Sequence, residues 1–244
     1  MTLWLLGLLV LGPLVVAASG AVSLTADWRT ASRESTGRAP DPHVAREAVV
    51  QVYAARAFNW RGLFAVHTWI ATKEADAPGY RVHQVVGWYE GGGRSVVDSR
   101  IDLPDRRWYD AEPTVIRDVR GPAAAALIPA IERAVADYSY RQTYGLWPGP
   151  NSNTFIAHVG RAVPELRLAL PPTAIGKDYL GDGRLLAPAP SGTGVQVSLG
   201  GYVGVLAALR EGLEVNVLGA VFGIDPWHLG IKLPGIGLLA LRRE

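Results

Sequence analysis

Ser152 is the residue of this chain best placed to act as a nucleophile. It follows a Gly149-Pro150-Asn151 turn and opens an apolar stretch that reads as a helix, where unpaired N–H groups favour developing negative charge. Upstream, His67 and His83 offer an imidazole that can take the proton of an alcohol. A nucleophile, a base, a group that orients the base and helix N–H groups are the parts of an acyl-transfer site. Each part also has a structural reading: Asn and Ser are favoured at helix starts as caps, and paired histidines on neighbouring strands are commonly satisfied core residues. Asn151 and Asn153 flank the nucleophile as candidate substrate contacts, and Trp69, Tyr144 and Trp147, with Trp88, are expected to wall the cleft.

Other chemistries are excluded or disfavoured. The 244 residues contain no cysteine, which removes disulfides, thiolate nucleophiles and Cys-ligated zinc or iron–sulfur centres. There is no H-E-x-x-H spacing and no tight His/Asp cluster, so neither a metal nor another cofactor is expected. The net charge is only +2, and the basic residues are scattered singly or in pairs, so no nucleic-acid partner is expected. His158 lies six residues past Ser152, out of phase on a helix. His43 and His228 read as structural or exposed.

These side chains need elements to hold them. Residues 48–56, 63–72 and 80–89 are rich in β-branched and aromatic side chains and read as three strands, with a short fourth at 95–102 and a Pro-punctuated loop through Pro113. Pro122 opens an Ala-rich helix running to about Tyr140, with Pro129 expected to bend it. A second helix starts at Ser152, capped by Asn151 or Ser152, and stops before Pro164. Residues 171–194 read as loop, and 195–241 as strands joined by turns at Arg210-Glu211-Gly212 and Asp225-Pro226. A hairpin symmetric about Asp76 places Trp69 opposite His83 and His67 opposite Val85, with both histidines on one face. A slip of one residue replaces His83 on that face with Gln84, so either His83 or Gln84 orients His67.

The N-terminus sets a second expectation. Residues 3–24 carry no charge, and the run is about long enough for the roughly 20 helical residues that span a bilayer. A helix from Leu3 to about Val22, protruding from the domain, is expected. It is read as a membrane anchor, with a cleaved signal peptide or a buried core helix as the alternatives. Arg29, Arg33, Arg38 and Arg46 after the span favour a cytoplasmic C-terminal side by the positive-inside rule, whereas an envelope location needs the opposite, so sidedness stays open. A second span within 195–241 is disfavoured by Arg210, Glu211 and Glu214. The expected organisation is an anchor at 1–24, a polar juxtamembrane linker at 25–45 and one domain at 46–244.

Four stretches together resemble a bacterial membrane-protein family, domain of unknown function 3750: Val50-Gln51-Val52-Tyr53-Ala54-Ala55-Arg56, Phe64-Ala65-Val66-His67-Thr68-Trp69-Ile70-Ala71, the segment from Gly149 to Phe155, and Lys232-Leu233-Pro234-Gly235. The likeness covers nearly the whole chain. The order His67, then His83 or Gln84, then Ser152 at a helix start also resembles circularly permuted papain-like proteins of the NlpC and lecithin-retinol-acyltransferase type, whose nucleophile is cysteine. The resemblance implies an α+β fold, an antiparallel sheet packed by two helices, tethered by one N-terminal transmembrane helix. It implies a membrane-anchored, bacterial inner-membrane hydrolase or acyltransferase acting on an amide or ester of the cell envelope or lipid. Serine in place of cysteine changes the chemistry, because an alcohol must lose its proton during attack while a thiol can be held as thiolate. The competing expectation is a non-catalytic membrane-anchored protein that binds a lipid, peptide or glycan in the same cleft.

Overall fold

The computed structural model describes residues 2–241, the side chains at positions 2–6 and 8 excepted. Among these residues the chain is α+β, with two antiparallel sheets and three α-helices. The first sheet has the order β4-β3-β2-β1-β5, formed by β1 (Val49–Arg56), β2 (Val66–Lys73), β3 (Tyr80–Val85), β4 (Val97–Asp102) and β5 (Thr114–Arg120). Its central strands are buried on both faces. On one face, Val50, Val52 and Ile70 pack against α2 (Gly121–Ala136) and α3 (Ser152–Ala162) through Ile128, Ile131, Phe155 and Ile156. On the other, Tyr53, Trp69 and Tyr80 form a second cluster that includes Ala39 and Trp108.

That second face is covered by the polar stretch expected to be a free linker. Residues 25–45 hold no α-helix or named strand, yet they are fastened to the loop after β4. The Asp105 carboxylate accepts hydrogen bonds from Ser35 Oγ (2.7 Å) and the backbone N–H groups of Arg38 and Ala39 (2.6 and 3.2 Å). Asp110 likewise accepts from the Ser32 N–H at 2.7 Å.

Several boundaries differ from expectation for local reasons. The stretch before β2 turns as a 3₁₀ helix over Asn59–Leu63, where Asn59 takes a positive φ of 60°. β3 ends at Val85, ahead of a short 3₁₀ turn at Gly87–Tyr89. β5 lies between the expected loop, which ends at Pro113, and the helix opened by Pro122, where no element was expected; it is an edge strand with a partly exposed, charged sequence, so it lacks the apolar signature of a buried one. The Ala-rich helix carries Pro129 in its interior and ends at Ala136.

The N-terminal expectation needs a larger correction. α1 runs Thr2–Ala18, and Gly20, at a φ of 70°, follows as a left-handed stop. No helix among the described residues is long and apolar enough to cross a membrane. Nor does α1 stand away from the rest of the chain. Gly12 lies against the Pro234 carbonyl so closely that no Cβ fits there, Pro13 touches Gly235, and Val16 is buried.

The second sheet is a meander of seven strands: β6 (Leu186–Pro188), β7 (Gly194–Leu199), β8 (Val203–Ala208), β9 (Gly212–Val217), β10 (Ala220–Asp225), β11 (Gly230–Leu233) and β12 (Gly237–Ala240). Turns at the two breaks seen in the sequence do join strands. Its inner face is polar. Lys177 Nζ donates to Glu214 Oε2, Lys232 Nζ donates to Glu214 Oε1 at 2.6 Å, and Arg161 of α3 donates to Gln196 Oε1 at 2.6 Å and to the Lys177 carbonyl at 2.8 Å. Arg161 thus joins α3 to β7, Lys177 joins the loop after α3 to β9, and the Lys232–Glu214 pair lies within the meander.

Candidate functional site

Asn151 builds the start of α3. Its side-chain oxygen accepts from the N–H groups of Asn153 (2.9 Å) and Thr154 (3.2 Å), while Thr154 Oγ1 accepts from the Asn151 N–H, completing a capping box. The Asn151 amide also donates to the carbonyls of Leu146 and Ile175 at 3.2 and 3.1 Å. Gly176 permits this approach: a side chain there would overlap the Asn151 amide, and its φ of +106° suits glycine. Asn153 is equally occupied, donating to Val66 O and Ile175 O and accepting from Thr68 Oγ1 at 2.9 Å. Both asparagines therefore position the start of α3, and both also line the cavity into which Ser152 faces. Asn151→Ala should lower stability by at least the 0.5–2 kcal/mol typical of a lost cap, read by chemical denaturation, because the two carbonyls lose their donor as well.

Ser152, at the first helical position, is buried but lines a cavity of about 1470 Å³ together with His67 and Gln84. Two of the helix-start N–H groups expected to serve an oxyanion, those of Asn153 and Thr154, are spent on the cap. Among the described residues, the Ser152 hydroxyl and its own N–H have no hydrogen-bond partner. That leaves one backbone donor next to the Ser152 hydroxyl. No hydrogen bond joins Ser152 to His67. Both line the cavity, and Thr68, the neighbour of His67 pointing to the other face, donates to the Ser152 carbonyl at 3.3 Å and fixes the start of α3 against the strand.

The hairpin register settles which residue partners His67. β2 and β3 pair with Ile70 opposite His83, one residue away from the symmetric expectation. His83 therefore lies on the helix face, where its Nδ1 meets Ser99 Oγ at 2.9 Å and its Nε2 lies 3.2 Å from Glu132 of α2. The expected role of His83 as orienter fails on this geometry. Gln84 takes the place instead: His67 Nε2 is 3.1 Å from Gln84 Oε1, and the Gln84 amide donates to Asp98 at 3.3 Å. The amide oxygen can only accept, so the proton of a neutral His67 sits on Nε2 and the lone pair on Nδ1. Burial lowers the His67 pKa to about 4, against a smaller raising effect of the Gln84 hydrogen bond. The ring is thus neutral at pH 7, the form a general base needs.

Aromatic packing fixes the ring plane. Trp108 stacks on His67 with centroids 3.6 Å apart and 10° between planes, and Trp88 continues the stack at 5.9 Å from Trp108. Trp88, Tyr144 and Trp147 line the cavity as expected. Trp69 does not. It lies beneath, stacked on Tyr53 at 5.4 Å, with its indole N–H bonded to the Pro104 carbonyl at 2.7 Å. Trp108 was missed because it lies in an irregular loop 41 residues along from the ring it covers, with no periodicity to place it. Also missed were the arginines on the cavity wall, Arg33, Arg61, Arg100, Arg106 and Arg107, of which Arg100 pairs with Asp98 and Asp102, Arg106 with Asp102 and Arg107 with Glu112. Their scatter through the sequence conceals the cluster. Among the described residues no group of three or more His, Cys, Asp or Glu side chains could hold a metal ion.

No curated protein and no solved structure matches this chain. A family model described as "Protein of unknown function (DUF3750)" matches residues 47–179. The matched region contains the first sheet, both packing helices, His67, Gln84 and Ser152. It ends before the second sheet, so the Lys232-Leu233-Pro234-Gly235 stretch and a likeness over nearly the whole chain fall outside the match. With more than half of its length matched, including every element around the cavity's Ser152–His67–Gln84 group, the chain belongs to the DUF3750 family.

Proposed function

We propose that the protein is a membrane-associated, papain-like hydrolase or acyltransferase that acts on an ester or amide of a lipid or cell-envelope molecule. The observation that carries this reading is the His67–Gln84 pair facing the same cavity as the helix-start Ser152. Gln84 holds the proton on Nε2, which leaves Nδ1 to take the Ser152 proton. The Ser152 oxygen then attacks the carbonyl carbon, and the protonated imidazole returns the proton to the leaving alcohol or amine as the tetrahedral intermediate collapses. Water, or a second alcohol or amine, attacks the acyl-enzyme in the next half-reaction, with His67 again the base. The Ser152 N–H is the backbone donor beside the oxyanion. Trp88, Tyr144, Trp147 and Leu146 supply an apolar wall for an acyl group.

A second reading has its own support. Ser152 makes no hydrogen bond to His67, and the asparagines beside it are committed to the fold. Such a site suits a protein that binds a lipid, peptide or glycan in the cavity without turning it over.

The two readings separate on hydrolysis of 4-nitrophenyl acyl esters of graded chain length by the full chain in micelles. The enzyme reading predicts turnover that falls to background in Ser152→Ala, whereas equal rates in the two proteins favour the binding reading. The pH profile adds a signature. A base whose pKa is lowered to about 4 stays unprotonated as pH falls through 6, so the acid limb of kcat/KM should lie near 4. An ordinary histidine gives a limb near 6.5, and a limb there contradicts the buried, Gln84-bound state of His67.

A further inference from the structure

We infer that the outward face of the second sheet is a bilayer-contact surface, seated at the boundary between headgroups and hydrocarbon alongside α1. The strands alternate as antiparallel strands do, but with the faces exchanged. Val195 and Val197 are 55% and 51% exposed, while Gln196 and Ser198 between them are 0% and 1% exposed. The same pattern continues through Val205, Leu213, Val215 and Val217, with Glu214 and Asn216 turned inward. A sheet that meets water on one face puts its apolar side on the core. Here the charged side chains of β9 and β11, Glu214 and Lys232, face inward and are paired with each other. An outward apolar surface of this extent marks an interaction site.

Four observations select lipid as the occupant. First, the surface adjoins a helix of the same character: α1 rests on the turn between β11 and β12 through Gly12 and Pro13. Leu11 and Leu14 of α1 are exposed, and no charge occurs from residue 3 to 24. Second, the outward positions of β7, β8 and β9 carry no charged or hydrogen-bonding side chain, so they offer hydrocarbon contact and nothing for a polar protein surface to recognise. Third, exposed Tyr202 and Trp227 stand at turns on opposite ends of the strands, where amphipathic rings sit at membrane interfaces. Fourth, the adjoining cavity, whose wall includes Val217 and Leu9 of α1, carries five arginines; Arg100, Arg106 and Arg107 are paired with Asp98, Asp102 and Glu112, which leaves Arg33 and Arg61 to complement anionic headgroups.

The strands are at most six residues long, short of the roughly 9–11 residues needed to span. Open sheet edges are also not tolerated in hydrocarbon. The sheet therefore lies on the bilayer instead of passing through it. This surface is independent of any chemistry at Ser152.

A cysteine-free chain makes the test direct. Val205→Cys and Val215→Cys, each in the full chain, are labelled with an environment-sensitive fluorophore and mixed with phosphatidylglycerol–phosphatidylcholine vesicles. Glu74→Cys, in the exposed turn after β2, is the control. The expected result is a blue shift at both outward positions and loss of their emission when the acyl chains carry bromine, with neither change at Glu74. Emission at 205 and 215 that stays water-like while the protein co-floats with vesicles means α1 alone holds the bilayer, and overturns the inference. Labels already shielded before vesicles are added, in a protein that runs as a dimer by light scattering, assign the face to a second copy and overturn it equally.

Discussion

His67→Ala should slow acylation of Ser152 by about 10²–10⁴-fold, the range that a positioned general base contributes, while leaving most of the fold intact. The ring is buried and covered by Trp108, so some stability will be lost. Its hydrogen-bonding partner Gln84, however, keeps a second contact in Asp98, and the strand is held at the next residue by Thr68. A loss of activity that tracks unfolding would assign His67 a structural role instead. Gln84→Ala separates orientation from basicity. It leaves the imidazole in place but removes the acceptor that fixes the proton on Nε2, so kcat should fall with KM little changed. Gln84→Glu should restore orientation and, by placing a carboxylate beside the ring, raise the His67 pKa and move the acid limb upward. Thermal unfolding and ester turnover measured on the same preparations decide among these outcomes.

Glu214→Ala should lower stability by about 3–5 kcal/mol, because it strands two buried ammonium groups. Lys177 and Lys232 are only 1% and 4% exposed, and both donate to the Glu214 carboxylate. Burial pushes the Glu214 pKa up, but the two lysines outweigh it and hold the carboxyl below its ordinary value. A depressed folded pKa gives stability that is fully present above the ordinary Glu value of 4.5 and is lost as pH falls through the folded value. Replacing all three groups together, Lys177→Met, Glu214→Leu and Lys232→Met, removes the paired charges while buried Asp178 keeps Arg161 and Gln196 as partners, and should be milder. It should also flatten the acid limb of the unfolding curve. Equal losses in the single and triple variants, measured by denaturant melts from pH 7 to pH 3, contradict this account of the buried charges under the meander.

The sequence announced the parts of the fold with local chemistry. Asn151 before Ser152 carries the capping preference that starts α3, and Pro164 bounds its end. The apolar runs around Val50, Ile70 and Val82 mark buried strands, and the glycine-broken tail reads correctly as a strand meander. Register was ambiguous because the turn residues near Asp76 allow two pairings one residue apart, and only the packing of Ile70 and His83 against α2 and α3 chooses between them. The exchanged faces of the second sheet were already written in the alternation of Val195, Gln196, Val197 and Ser198. Alternation alone does not say which face meets the rest of the molecule. Arg106, Arg107 and Trp108 are consecutive in one loop, but Arg33 and Arg61 come from other segments, Arg100 from β4 and His67 from β2, and no spacing rule links them.

The central claim is that Ser152 is a nucleophile activated by His67. The most direct measurement is intact-mass analysis and peptide mapping of the full chain after exposure to a fluorophosphonate carrying an alkyl chain. The account predicts one adduct, on Ser152, formed in wild type and in Glu74→Cys, absent from Ser152→Ala and greatly slowed in folded His67→Ala. No adduct on Ser152, or equal labelling with and without the His67 imidazole, contradicts it.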